Sequence, residues 1–242
     1  MLGATKTELF HGRVTEKIKR TQNTESFRVK LSEQLNFSPG QFLQVIFDKD
    51  NLNNKELNKY LSFSSSPAKY YIEFTKKLSE SAFSQKLKTL ETGSEVLIKA
   101  PMGNCVFNEE YKKISFLIGG IGITPVISII EYIVDKKLDT DVVLLYSNRT
   151  VEDIAFRKEL DSWQKINKNV KVVYMVTDCE PKDSKCIFGA INKSVIQEKI
   201  SDLKERVCFI FGPPKMVDAM KNLSIEAGCA KENTKTENFI GY

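Results

Sequence analysis

The stretch best equipped for chemistry is Leu117-Ile-Gly-Gly-Ile-Gly-Ile-Thr-Pro125. The apolar run Ile114 to Ile118 leads into it and Val126 to Ile130 leads out. That spacing predicts a buried strand, a turn through Gly119, Gly120 and Gly122, and the first turn of a helix. Thr124 is placed to cap the helix and Pro125 to fill its first position, where a missing N–H costs nothing. Free backbone N–H groups and the positive end of the helix dipole would converge on one point, which suits an anion such as a pyrophosphate. A nucleotide is the leading expectation. The competing reading is a plain tight turn, since no Gly-Lys-Ser/Thr follows and Pro125 stands where the dinucleotide fingerprint has its third glycine.

The elements around this turn are of two kinds. From Leu9 to about Pro101 the chain has short alternating segments: Arg13–Lys19, Ser26–Leu31, Phe42–Phe47, Leu61–Ser65, Tyr70–Phe74 and Glu95–Ala100. One short helix is expected over Ser84–Leu90, and the whole reads as a small antiparallel barrel. After Phe107 strands alternate with helices: strands at Ile114, Asp141, Val170 and Val207, and helices up to Val134, over Ile154–Trp163, over Lys193–Ile200 and over Lys215–Glu226. This implies a doubly wound parallel sheet with ligands at the carboxyl ends of its strands. The expected domains are residues 1–107 and 108–242.

Composition narrows the partners. The 242 residues carry 36 Lys+Arg against 31 Asp+Glu, a net +5 from dispersed lysines, which argues for solvated faces and not a nucleic-acid groove. Lys17-Ile-Lys-Arg20 and Lys76-Lys77 are local basic runs, and the second is the better candidate for meeting an acidic partner. The five cysteines show neither Cys-x-x-Cys nor iron–sulfur spacing, so no metal site is expected. Cys179 and Cys186 flank a polar loop, but free thiols are expected in a reducing cytosol. With no apolar signal core or ~20-residue apolar run, a soluble cytoplasmic protein off the membrane is expected. His11 has no catalytic partner in any motif, and Trp163 reads as core.

Four stretches in order, Lys59-Tyr-Leu-Ser-Phe-Ser-Ser-Ser-Pro67, Pro101-Met-Gly103, Gly119-Gly-Ile-Gly-Ile-Thr-Pro125 and Phe211-Gly-Pro-Pro-Lys-Met216, resemble the ferredoxin–NADP reductase superfamily. Pro39-Gly-Gln-Phe42 and Glu237-Asn-Phe-Ile-Gly-Tyr242 extend the likeness over nearly the whole chain. The resemblance implies a barrel holding FAD and a sheet domain holding NADPH or NADH, with hydride passing between the two cofactors. It implies that Lys59 attracts the flavin phosphate from the family's arginine position, without the bidentate fork. Tyr60 falls one residue before the usual aromatic site, which Leu61 occupies, and Ser62 matches the serine near the flavin's reactive nitrogen. Phe74, Thr75 and Lys76 are similar to the strand lining the flavin ring. Ser81 and Ser84 resemble the Gly-x-x-Ser element that holds the diphosphate.

On the nicotinamide side the resemblance implies Thr124 near the pyrophosphate. Ser147 and Arg149 end the next strand, where an acid commonly meets the ribose 2′-hydroxyl and Arg149 would favour a 2′-phosphate. Phe211, followed by Gly212 and Pro213, replaces a cysteine found in many relatives. The resemblance implies that Tyr242 or Phe239 could cover the flavin; alternatively the tail simply packs the last strand.

The expected activity is an FAD-dependent NAD(P)H oxidoreductase. It would pass single electrons to a separate acidic carrier, such as a ferredoxin, a flavodoxin or an oxygenase component, or to a small oxidant. The alternatives are an electron-transfer subunit of a larger dehydrogenase complex and a flavin- and nucleotide-binding redox sensor without turnover. Oligomeric state is left open.

Overall fold

The computed structural model describes residues 6–178 and 180–239. Of the described residues, 6–107 with the helical stretch Ile127–Tyr132 cluster as one compact unit, and Asn108–Val126 with those of 133–239 as the other.

The first unit is a six-stranded antiparallel sheet. It contains β1 (Glu8–Thr21), β2 (Thr24–Leu31), β3 (Phe42–Ile46), β4 (Asn58–Ser62), β5 (Ile72–Lys77), helix α1 (Ala82–Thr89) and β6 (Glu95–Met102). The strand order is β4-β3-β6-β1-β2-β5. Alternation in β1 sends Phe10 and Val14 inward and His11 and Arg13 outward, and register shifts between Val14/Glu16 and Lys19/Thr21 bend this long strand. The two outer strands approach where Phe63 bridges Phe74, which closes the barrel over a core of Phe27, Leu43, Phe63, Phe74, Phe83 and Ile98.

The second unit is a parallel sheet in the order β10-β9-β8-β7-β11-β12. Its elements are β7 (Lys113–Gly119), α2 (Ile123–Asp135), β8 (Asp141–Asn148), α3 (Arg157–Ile166), β9 (Val170–Val176), β10 (Cys186–Phe188), α4 (Lys193–Lys199), β11 (Val207–Gly212), α5 (Pro214–Glu226) and β12 (Thr234–Asn238). The central strand β7 is buried over Ile114–Ile118, as a continuous apolar run in a two-sided sheet must be. Strands step outward from β7 to β8 and β9 on one side and to β11 and β12 on the other. The crevice between β7 and β11 is therefore the topological switch point, where ligands gather at strand carboxyl ends. Buried Arg206 ties the opposite, amino-terminal edge together, donating to the carbonyls of Ile114 (3.0 Å) and Asp141 (3.3 Å).

Several element boundaries differ from expectation for physical reasons. β4 ends at Ser62 because Ser64, Ser65 and Ser66 turn inward, and the Ser64 N–H is taken by the Glu73 carbonyl at 2.7 Å. Helix α3 starts at Arg157, since Phe156 takes φ +60°, incompatible with a right-handed helix. Trp163 is accordingly half-buried, while Leu160 fills the core. The apolar triplet of β10, Cys186-Ile-Phe188, is too short to read as a strand from sequence, and β12 had no apolar signal; the polar run Thr-Lys-Thr-Glu-Asn is a strand only because β11 offers it an edge. Among the described residues no helix is long and apolar enough to cross a membrane. Cys105, Cys186, Cys208 and Cys229 are free thiols, and Cys179 lies outside the described residues.

Candidate functional site

In the barrel, the motif residues lie where β4 and β5 close the sheet. Lys59 and Leu61 are half-buried on β4, Tyr60 is exposed, and Ser62 is buried at the strand's end. On β5, Phe74 and Thr75 are buried and Lys76 is half-buried. Burial and then the charge of Lys59 push the Lys76 ammonium below the usual lysine range. Two like charges that repel each other in a partly dry place are stabilised by an anion between or beside them. The phosphate of a flavin would be such an anion, attracted by both ammonium groups, and the exposed hydroxyl of Ser81 adds a donor that fits the same group.

Next in the chain, α1 begins at Ser81, whose hydroxyl caps the helix by accepting the Ser84 N–H at 3.3 Å. Ser84 is fully buried, and its own hydroxyl is engaged with Ser79 and Ser81. Ser81 is exposed, so of the two serines it is the one open to a ligand.

Behind β5 runs a buried polar network absent from the sequence-level reading. Glu73 accepts from Arg20 at 3.0 and 3.1 Å and from Arg28 at 3.0 Å. Arg20 also donates to Ser26 at 2.7 Å, and hydroxyl contacts continue from Ser26 to Thr75 (2.6 Å) and from Thr75 to Ser64 (2.7 Å). Ser64 returns to Glu73 at 3.1 Å, closing a ring that fixes the rotamer of Thr75. A lone glutamate in an apolar strand was the only sequence signal, because a buried carboxylate needs a cation.

In the second unit, the Gly119–Pro125 motif forms the strand, turn and helix its spacing predicts, with one correction. A short 3₁₀ turn over Gly120–Gly122 runs directly into α2 at Ile123. Thr124 therefore lies inside the first turn and does not cap it: its hydroxyl donates to the Ile121 carbonyl at 3.2 Å. Pro125 is the third helical residue, still within the turn where an N–H has no helical partner. Gly120 takes φ +51°. A Cβ on Gly122 would run into the carbonyl of Phe211, so this glycine is what lets the turn sit against the end of β11.

Around that turn stand the other motif residues. Ser147 pairs in register with Gly119 at the end of β8. Arg149 is exposed, and its Nε donates to Asp178 Oδ2 at 2.8 Å, a carboxylate the sequence reading did not single out. Asp178 is held beneath Arg149 by its own N–H, which donates to the Arg149 carbonyl at 2.9 Å. Phe211 is fully buried and stacks on Phe209 with centroids 5.9 Å apart. Gly212 ends β11, and Pro213 precedes α5 and accepts the Met216 N–H at 3.0 Å. Glu237 on β12 pairs with Phe211, and burial alone pushes its carboxyl up to about 7. Phe239 extends this edge by donating its N–H to Gly212 at 2.8 Å, and Tyr242 lies outside the described residues.

Comparison with known proteins agrees with this geometry. Residues 11–107 match the model of the oxidoreductase FAD-binding domain and residues 116–222 that of the oxidoreductase NAD-binding domain. Nitrate reductase [NADH] 1 of Nicotiana tabacum is 33% identical over 157 residues, which are 59% of this chain but 17% of that protein. The chain thus spans under one-fifth of the nitrate reductases it matches. NADH-cytochrome b5 reductase 1 of Mortierella alpina is 27% identical over 232 residues, 91% of this chain and 76% of the relative. The structure of a ferredoxin NADP+ reductase from Neisseria gonorrhoeae with bound FAD and NADP superposes with a TM-score of 0.82 at 17% identity, covering 97% of this chain and 100% of that one. With both domain models matched in order, and an antiparallel barrel-like sheet followed by a doubly wound parallel sheet, the chain belongs to the ferredoxin–NADP reductase superfamily.

Proposed function

We propose that the chain is an NAD(P)H-dependent flavin reductase that passes electrons to a separate carrier protein. The observation that carries this reading is the coexistence of two phosphate-suited places in one chain, the Lys59–Lys76 pair near the Ser81 helix cap and the glycine turn at the β7–β11 switch point. When bound, FAD accepts a hydride from the nicotinamide and releases electrons one at a time, a conversion the side chains cannot perform themselves.

In this reading Lys59 and Lys76 neutralise flavin phosphate charge, with the exposed Ser81 end of α1 adding a hydroxyl. Tyr60 and Leu61 flank the ring, Ser62 offers a hydroxyl to it, and Phe74 and Thr75 support it from β5. Gly119, Gly120, Gly122, Thr124 and Pro125 carry the nicotinamide dinucleotide's diphosphate, and Phe211, Gly212 and Pro213 bound the nicotinamide pocket. Ser147 and Arg149 meet the adenosine ribose. Neither a general acid nor a base is required where hydride moves, so Phe211 in place of a cysteine leaves the reaction possible.

The ribose end favours NADH. Arg149 by itself suits a 2′-phosphate, but its guanidinium is shared with Asp178, and that carboxylate would stand beside the phosphate. NADH also appears in the names of the nitrate reductase and cytochrome b5 reductase relatives. Those names make a cytochrome b5-type haem protein a candidate acceptor alongside ferredoxin and flavodoxin. The net +5 charge suits an acidic carrier of any of these kinds.

Anaerobic stopped-flow reduction tests the proposal. Reconstituted protein should hold FAD and show bleaching of flavin absorbance with NADH faster than with NADPH. Protein that retains no flavin, or whose flavin is reduced by neither nucleotide, refutes it.

A further inference from the structure

The glycine turn is held from outside as well as from within. Tyr146 on β8, in register with Ile118 of β7, is fully buried, and its phenolic Oη donates to the Gly120 carbonyl at 3.2 Å. That carbonyl already accepts the N–H of Ile123 from the start of α2. The second donor comes from a neighbouring strand and so ties the turn to the rigid sheet.

A trans peptide is planar, with its C=O and N–H on opposite sides. Pinning the Gly120 carbonyl toward β8 therefore sends the Ile121 N–H the other way. Gly120, at φ +51°, has the conformational freedom to adopt other orientations, so a contact from outside the turn adds to the Ile123 bond in selecting this one. Burial pushes the Tyr146 pKa up, against smaller opposing pulls from Asn148 and the Ala155 backbone, and the phenol remains a donor throughout the neutral range.

We infer that Tyr146 is a positioning residue for nucleotide binding: its hydroxyl holds the Gly120 carbonyl away from the dinucleotide's diphosphate and thereby presents the Ile121 N–H to it. This rests on the reading of the turn as a diphosphate cradle. A carbonyl rotated outward would set a partial negative charge where a donor now stands, and an anion would be repelled there. Tyr146 would touch neither cofactor. Its effect should be confined to ligands that carry the diphosphate and be the same for NADH and NADPH, which share it.

The test uses the flavin-loaded full chain and Tyr146→Phe, reduced anaerobically by NADH, by NADPH and by N-benzyl-1,4-dihydronicotinamide, a hydride donor without phosphate. The expected result is a rise of about tenfold in the nucleotide concentration for half-maximal rate, the size of one hydrogen bond. The limiting rate, the NADH/NADPH ratio and the rate with the phosphate-free donor should be unchanged. An unaltered nucleotide dependence, or equal slowing with the phosphate-free donor, overturns the inference while leaving the proposed function standing. Should Tyr146→Phe fail to hold flavin, hydrogen exchange on the wild type decides: NAD+ must slow exchange at the Ile121 amide, and unchanged exchange there overturns it. A wild type that binds neither nucleotide sinks the diphosphate reading and this inference with it.

Discussion

In the proposed reading, the barrel and the parallel sheet would meet phosphate with different materials. Around Lys76 the barrel uses charged side chains, and a buried ring of Arg20, Ser26, Thr75, Ser64 and Glu73 stands behind the same strand. Around Gly120 the sheet uses backbone, held by a phenol, a helix start and the carbonyl of Phe211 against Gly122. Side-chain charge is strong, but it must be matched wherever it is buried. Backbone dipoles need no counter-charge, and their aim depends entirely on the contacts that fix each peptide plane. The barrel half should therefore be sensitive to loss of charge and the sheet half to loss of shape.

The largest break in that contrast is Glu73→Ala. It strands the buried Arg20 guanidinium, whose side chain is 6% exposed, and should cost about 3–5 kcal/mol in chemical denaturation. A loss below ~1 kcal/mol would mean that the ring does not carry the charge balance assigned to it.

Glu237 tests the sheet side, where a half-buried carboxyl is pushed up by desolvation. Its folded pKa, about 7, lies above the ordinary 4.5, so the native state binds more protons than the unfolded state between these values. Stability from this group is thus lost as pH rises from 4.5 through 7. Glu237→Gln should match the wild type near pH 4 and exceed it at pH 8, by on the order of 3 kcal/mol at most. Parallel denaturation curves at both pH values would show whether the gap opens; a constant gap refutes the assignment.

Smaller effects sharpen the comparison. Lys59→Ala should weaken FAD by about tenfold, a loss near the value of a single charge-assisted contact. Equilibrium dialysis in low and high salt would read it, and the deficit should shrink as salt screens the wild-type attraction. Asp178→Asn frees Arg149 and removes the adjacent negative charge, so NADPH should gain several-fold relative to NADH. The ratio of kcat/KM for the two nucleotides measures that shift, and an unchanged ratio would remove Asp178 from the ribose pocket.

Legibility varied with the range of the interactions involved. The glycine turn was readable because local spacing of strand, Gly-x-Gly and Pro already constrains the backbone. The same local reasoning misplaced the cap at Thr124, since whether a 3₁₀ turn precedes the helix depends on how closely Gly122 approaches Phe211, almost ninety positions away in the chain. β12 was invisible because its polar residues form a strand only by pairing with β11. Arg20 read as the end of a basic run and Arg28 as a polar position of an alternating strand, until the antiparallel pairing of β2 with β5 brought Arg28 opposite Glu73. Asp178 and Tyr146 gave no motif signal, for an acid after a strand and a tyrosine within one are ordinary.

By itself, the sequence determined the alternating barrel strands, the β-α alternation that follows them and the strand–turn–helix form of the glycine turn. All three follow from periodicity and backbone freedom over a few residues. Only the tertiary structure decided which charge meets which, because ion pairs such as Arg20–Glu73 and Arg149–Asp178 join positions whose distance is set by strand order. It also decided which way the Gly120 peptide faces: a flexible residue has no orientation of its own until a neighbour such as Tyr146 supplies one.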